Sequence, residues 1–129
     1  MFKNGVTEEQ IIAGMRDDFL ADATERLALV RKSLEAARNR DCENNPLKTF
    51  RAEVHTLKGM GQAFGFPSLT LISRRLEGYL RAHTEEAFSD DDEVDLFLEC
   101  IADVVTAGEE PADDLLETIL ESLPAPVCD

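Results

Sequence analysis

The feature that most constrains this chain is an unbroken rhythm of apolar residues near its N-terminus. Ile12, Met15, Phe19, Ala23, Leu27, Val30 and Leu34 recur at steps of three and four, the spacing that aligns side chains along one face of an α-helix. Just ahead of the run, Thr7 and Gln10 have the form of a capping box. The pattern predicts a helix reaching about Arg38, with Gly14 marking where a short leading segment could split away. An apolar stripe of this length must be covered by other elements.

The rest of the chain supplies that cover in the same form. A polar break from Asn39 to Asn45 is followed by Pro46, which suits the first turn of a second helix running to about Gly65. Pro67 and Ser68 open a third, with Leu69, Ile72, Leu76 and Leu80 on its core side. Ser89-Asp90-Asp91-Asp92 places a cap and carboxylates at the positive end of a fourth, which is expected to bury Val94, Phe97, Ile101 and Val104. Pro111, Asp113 and Asp114 start a short last helix through Leu123. No segment alternates as a strand would. The expected fold is all-α, an antiparallel up-down four-helix bundle with one additional short helix. Residues 1–123 are expected to form one domain and 124–129 a flexible C-terminal tail.

Charge limits the partners. Lys and Arg number 13 against 27 Asp and Glu, for a formal net charge of −14. Such a surface repels phosphate backbones and anionic lipid, which argues against nucleic-acid and membrane partners. No apolar run approaches the roughly 20 residues of a membrane span, and no signal-peptide core follows Met1-Phe2-Lys3-Asn4-Gly5. Cys42, Cys100 and Cys128 are odd in number and far apart. They fit neither a disulfide framework nor a metal site, so a reducing cytoplasm is expected, with Cys100 buried. No apolar seam is left over, and a monomer is expected.

The second helix carries the chemistry. At 100° per residue, Arg51, His55, Lys58, Gly59 and Gln62 fall within about 60° of His55, while Phe50, Val54, Leu57 and Phe64 cluster on the opposite side. The imidazole is therefore expected to face outward. Each glycine inside a helix costs roughly 1 kcal/mol relative to alanine, so Gly59 and Gly61 need a reason. Gly59 shares the His55 face and removes bulk where a partner would approach. Gly61 lies on the core flank, where a missing side chain admits a neighbouring helix.

A neutral imidazole, with an ordinary pKa of about 6.5, is a competent nucleophile near neutrality. It can accept a phosphoryl group on one ring nitrogen while the other donates a hydrogen bond. Lys58 and Arg51, one turn to either side, are placed to offset incoming negative charge. Glu77, on the shoulder of the third helix, can reach across to accept from Nδ1 and so make Nε2 the more nucleophilic nitrogen. The plain alternatives are a solvated surface histidine and a helix-surface acid. His83, the acidic run Asp90-Asp91-Asp92-Glu93 and the pair Glu109-Glu110 read as helix-end and solvated-loop residues.

His55-Thr56-Leu57-Lys58-Gly59 resembles the hallmark of the histidine phosphotransfer (HPt) family, an exposed His followed by x-x-Lys-Gly in a helical bundle. Phe50-Arg51, Phe64-Gly65-Phe66 and Glu77, twenty-two positions after the histidine, make the chain similar to the P1 domain of chemotaxis-type histidine kinases. The resemblance implies phosphorylation of His55 on Nε2, exchange with the aspartate of a response-regulator receiver domain, and a histidine kinase upstream. It implies no cofactor on this chain, with magnesium held by the receiver. Catalytic roles fall on His55, Lys58 and Glu77, and binding roles on Arg51, Gly59 and Gln62. Two features depart from the P1 pattern: Arg74 stands where a second histidine is common, and Met60 and Gln62 replace small residues. With neither a dimerisation nor an ATP-binding region evident, the chain is not expected to phosphorylate itself. The rival expectations are a P1 domain excised from such a kinase and phosphorylated by its ATP-binding domain, and a non-catalytic helical adaptor that sequesters a kinase or receiver.

Overall fold

Helix formation begins at Thr7, whose hydroxyl accepts from the Gln10 backbone N–H at 3.1 Å while the Gln10 side chain accepts from the Thr7 N–H at 2.9 Å. These are the two bonds of a capping box. In the computed structural model, which describes residues 7–39, 45–83 and 92–125, helix α1 then runs over Glu8–Arg38 without interruption. Gly14 does not divide it. A Cβ there would meet nothing within 4 Å, and one exposed glycine is a small cost to a helix packed along most of its length.

Helix α2 spans Pro46–Phe64, with Asn45 as N-cap and Pro46 in its first turn. Gly65 ends it at φ 78°, a left-handed conformation open to glycine at no steric cost. One residue later α3 begins, Pro67–His83. Helix α4 spans Asp92–Ala107 and α5 spans Asp113–Ser122. The expected cap at Asp90 and Asp91, residues 40–44 of the polar break, Cys42 and most of the expected tail lie outside the described residues. Among the described residues there is no strand, and no helix is long and apolar enough to cross a membrane.

Helix α1 packs on α2, α2 on α3, α3 on α4, and α4 closes back on α1. Successive neighbours in a closed ring are the mark of an up-down four-helix bundle. Its core draws Phe19, Ala23, Leu27, Val30 and Leu34 from α1, Phe50, Val54 and Leu57 from α2, Leu69, Ile72, Leu76 and Leu80 from α3, and Val94, Phe97, Ile101 and Val104 from α4, all buried. Each Val, Leu, Ile or Phe among them contributes roughly 1.5–3 kcal/mol by leaving water. Helix α5 buries none of its own residues. It is held from outside the ring: Arg75 of α3 donates to the Leu120 carbonyl at 2.7 Å, and Leu123 just beyond the helix tucks into the core.

Four expectations are corrected. Ile12 and Met15, assigned to the buried stripe, are 63% and 54% exposed. Helix α1 has 31 residues against 19 in α2, so its first turns overhang the helices that cover the rest. Phe64, assigned to the core side, is 46% exposed and stacks on Phe19, while Phe66 takes the buried place beside it. Cys100 is half-buried rather than buried, and burial raises its thiol pKa. Glu110 is no solvated loop residue. Its carboxylate accepts from the Ser68 backbone N–H at 3.0 Å and from the Ser68 hydroxyl, capping the start of α3.

Candidate functional site

The short α2–α3 connection sets the site. Two residues, Gly65 and Phe66, reverse the chain, and the Phe66 N–H returns to the Gly61 carbonyl at 2.8 Å. A Cβ on Gly61 would stand 2.7 Å from Thr70 Oγ1, 2.8 Å from Thr70 N and 2.9 Å from Phe66 O. The two helices therefore approach to a distance that only glycine permits at this position. The Thr70 hydroxyl donates to the Lys58 carbonyl at 2.9 Å and locks the pair in register. With the hairpin closed in this way, a side chain in the middle of α3 comes opposite the middle of α2.

That side chain is Glu77. One carboxylate oxygen lies 3.2 Å from His55 Nδ1 and the other 2.7 Å from Lys58 Nζ. The His55 side chain is 69% exposed, whereas those of Lys58 and Glu77 are 26% and 22% exposed. The ring thus rests on a half-buried carboxylate through Nδ1 and keeps its other nitrogen toward solvent. Partial burial pushes the Glu77 carboxyl upward, but hydrogen bonds from Lys58 and His55 outweigh it and hold its pKa below the ordinary value. Glu77 is accordingly a carboxylate near neutral pH, and a carboxylate only accepts hydrogen bonds. Nδ1 must then carry the proton, leaving the lone pair on Nε2.

The structure joins His55 and Lys58 through Glu77, which contacts both. Lys58 spends its charge on Glu77 rather than standing open beside the histidine. Gly59 and Gln62 are exposed on the same side of α2, and a Cβ on Gly59 would meet nothing within 4 Å. Arg51 is not part of the contact. It lines a cavity of about 320 Å³ with Glu77, Leu80 and Arg81 at the other end of the histidine. In the sequence Arg81 reads only as a helix-end cation beside His83, although it follows Glu77 by four residues and so shares its face of α3. Among the described residues, no group of three His, Cys, Asp or Glu side chains is placed to hold a metal ion.

An outward imidazole, a half-buried acceptor that fixes its tautomer, and an unobstructed glycine one turn on are parts that suit a nucleophilic histidine served by a docking partner. The family model described as the Hpt domain matches residues 14–124. No curated protein and no solved structure matches the chain. The family match covers all five helices apart from the first turns of α1, and includes His55, Lys58, Gly59 and Glu77, so the chain belongs to the Hpt domain family.

Proposed function

We propose that this protein relays phosphoryl groups in a two-component phosphorelay, with His55 as the phosphoacceptor. The observation that carries this reading is the hydrogen bond between His55 Nδ1 and Glu77 at 3.2 Å beneath an exposed ring. In the forward step the Nε2 lone pair attacks the phosphorus of a receiver's aspartyl phosphate. The N–P bond forms as the acyl P–O bond breaks, and the electron pair of that bond returns to the aspartate carboxylate. The proton on Nδ1 stays in place. The phosphorylated ring therefore carries positive charge, which the Glu77 carboxylate stabilises. The same geometry run backward delivers the group to a second receiver aspartate.

Glu77 is a positioning residue in this scheme, since it acts through the ring and not on phosphorus. Lys58 holds the second Glu77 oxygen at 2.7 Å and so fixes the carboxylate's direction. Its ammonium also lies one turn from His55, close enough to temper the dianionic charge of an arriving phosphoryl group. Gly59 and Gln62 form the surface a receiver would cover, with Arg51 at its edge. The donor and acceptor partners are receiver domains, a histidine kinase stands upstream, and magnesium belongs to the receiver's acidic pocket. The setting is the cytoplasm and the working state a monomer, with residues 1–123 as the functional domain.

Incubating the protein with a radiolabelled phospho-receiver tests the reading. Label is expected to move to this chain in an acid-labile, base-stable form, and His55→Gln is expected to take up none. Unchanged labelling of His55→Gln would remove His55 as the acceptor.

A further inference from the structure

The distribution of charge along the bundle is uneven in a way that the net value conceals. Helices α2 and α3 together carry six Lys or Arg residues and two acids, Glu53 and Glu77. Both acids are already matched, Glu53 by Arg26 of α1 at 2.9 Å and Glu77 by Lys58 at 2.7 Å. From Asp92 to Ser122, by contrast, there are eleven acids and no Lys or Arg. A cationic hairpin is thus set into a molecule of formal charge −14.

The cations of the hairpin are also placed around the histidine. Arg51 precedes His55 by one turn of α2. On α3, Arg74 and Arg81 stand one turn before and one turn after Glu77, on the same face of the helix. Arg81 and Arg51 share the cavity of about 320 Å³ beside Glu77, with Leu80 as its apolar wall. Arg51, Arg74 and Arg81 are exposed, and among the described residues none makes an ion pair with a carboxylate. Arg75, the neighbour of Arg74, is turned away to the Leu120 carbonyl of α5.

We propose that the α2–α3 hairpin is an electrostatic docking strip for an acidic protein face, with Arg74 and Arg81 joining Arg51 as residues that determine which partner binds. The inference rests on the phosphotransfer reading and names the charge of the partner at that site: a receiver whose acceptor aspartate lies in a carboxylate-rich pocket. The acidic α4–α5 flank acts in the opposite sense. Helix α4 lies diagonally across the ring from α2, so an acidic partner is repelled there and drawn to the side that bears His55. Fields of this kind raise association rates by 10- to 1000-fold at low salt and fade as the Debye length shrinks from about 10 Å at 0.1 M. Arg74 and Arg81 would then govern encounter more than chemistry.

The test measures phosphotransfer from a phosphorylated receiver across a salt series, using the full chain. Arg74→Glu combined with Arg81→Glu is expected to lower kcat/KM about tenfold or more at low salt. The deficit should sit in KM and shrink as salt rises toward about 0.5 M. Arg31→Glu combined with Lys32→Glu makes the same change in net charge on exposed positions of α1 and is expected to alter kcat/KM less than twofold. Should the α3 reversal unfold the chain, Arg74→Gln with Arg81→Gln keeps the helix and is expected to cost about threefold. Wild-type kinetics from the α3 variants, an equal loss from the α1 pair, or a loss confined to kcat would overturn the inference. Labelling of the wild type with no salt dependence would sink this inference alone, whereas failure of the wild type to take label at His55 would sink the reading beneath it.

Discussion

Gly59 and Gly61 stand two positions apart on α2 and face opposite worlds. A side chain on Gly59 would enter open space, whereas one on Gly61 would strike the backbone of Thr70 and Phe66 at under 3 Å. Glycine is unfavourable in a helix at both positions and for the same entropic reason. On the inner face its use is structural, since it lets α3 come close enough for Glu77 to meet His55. On the outer face no described residue stands within 4 Å of where a side chain would go, and the proposed phosphotransfer gives the vacancy a use, as room for a docking partner. The same contrast divides the helix as a whole. Phe50, Val54 and Leu57 are fully buried, while Arg51, His55, Gly59 and Gln62 are exposed. Inner-face substitutions should therefore cost stability, and outer-face ones should cost transfer.

The largest effect is expected from Gly61→Val. Its clash is with main-chain atoms that cannot step aside, so the hairpin must spread, and overpacking of this kind costs about 3 kcal/mol. Denaturant unfolding should show that loss in spite of valine's better helix propensity. A variant as stable as wild type would mean that the α2–α3 approach is looser than described. Next comes Glu77→Ala, on the partner helix but serving the outer face. Losing the tautomer-fixing acceptor should slow phosphorylation of His55 about thirtyfold, equivalent to about 2 kcal/mol of barrier, while circular dichroism shows the bundle intact. A wild-type rate would remove Glu77 from the mechanism.

The contrast also marks what a sequence can disclose. Angular position is legible from helical spacing, and it separated His55 from Leu57 and Gly59 from Gly61 correctly. Height along the bundle is not, because it depends on how long the neighbouring helices are. That is why Ile12 and Met15 look like core residues on a wheel and yet are exposed on the overhanging turns of α1. Phe64 and Phe66 show the same limit at the other end of α2: either phenyl could plug the corner, and the left-handed turn at Gly65 decides for Phe66. The Glu110–Ser68 cap joins residues 42 positions apart, and no local pattern announces such a bond. The capping box at Thr7, by contrast, joins residues three positions apart and is legible in the sequence. At the site, the twenty-two-residue step from His55 to Glu77 was legible through family likeness, whereas Arg81 became visible only when α2 and α3 were seen to enclose a cavity.

Gly59→Leu sharpens the comparison from the other side. Leucine is the better helix former by nearly 1 kcal/mol, and the space beside it is open, so unfolding should show unchanged or slightly raised stability. Transfer from a phospho-receiver should fall about tenfold in kcat/KM, since a branched side chain now stands one turn from the reacting nitrogen, where docking must occur. Normal transfer by this variant would refute the idea that the vacancy is kept for a partner. A loss of stability would show that the outer face is packed against something after all.

The smallest effect concerns acid. Because the folded-state pKa of Glu77 is lowered, its ion pair with Lys58 and its bond to His55 contribute stability above the ordinary glutamate value of about 4.3, where the unfolded chain is already ionised. That contribution is lost as pH falls through the depressed folded-state value, when the carboxylate takes up a proton. Glu77→Gln, which keeps the shape and removes the charge, should therefore be less stable than wild type at neutral pH. The gap should be full above the ordinary glutamate value of about 4.3 and close as pH falls through the depressed folded-state value. Thermal melts of the two proteins across pH would check this. A difference that persisted unchanged into strong acid would mean that the carboxylate's charge contributes nothing to holding the hairpin. Lys58 would then have to be reassigned from bracing Glu77 to meeting the incoming phosphoryl group alone.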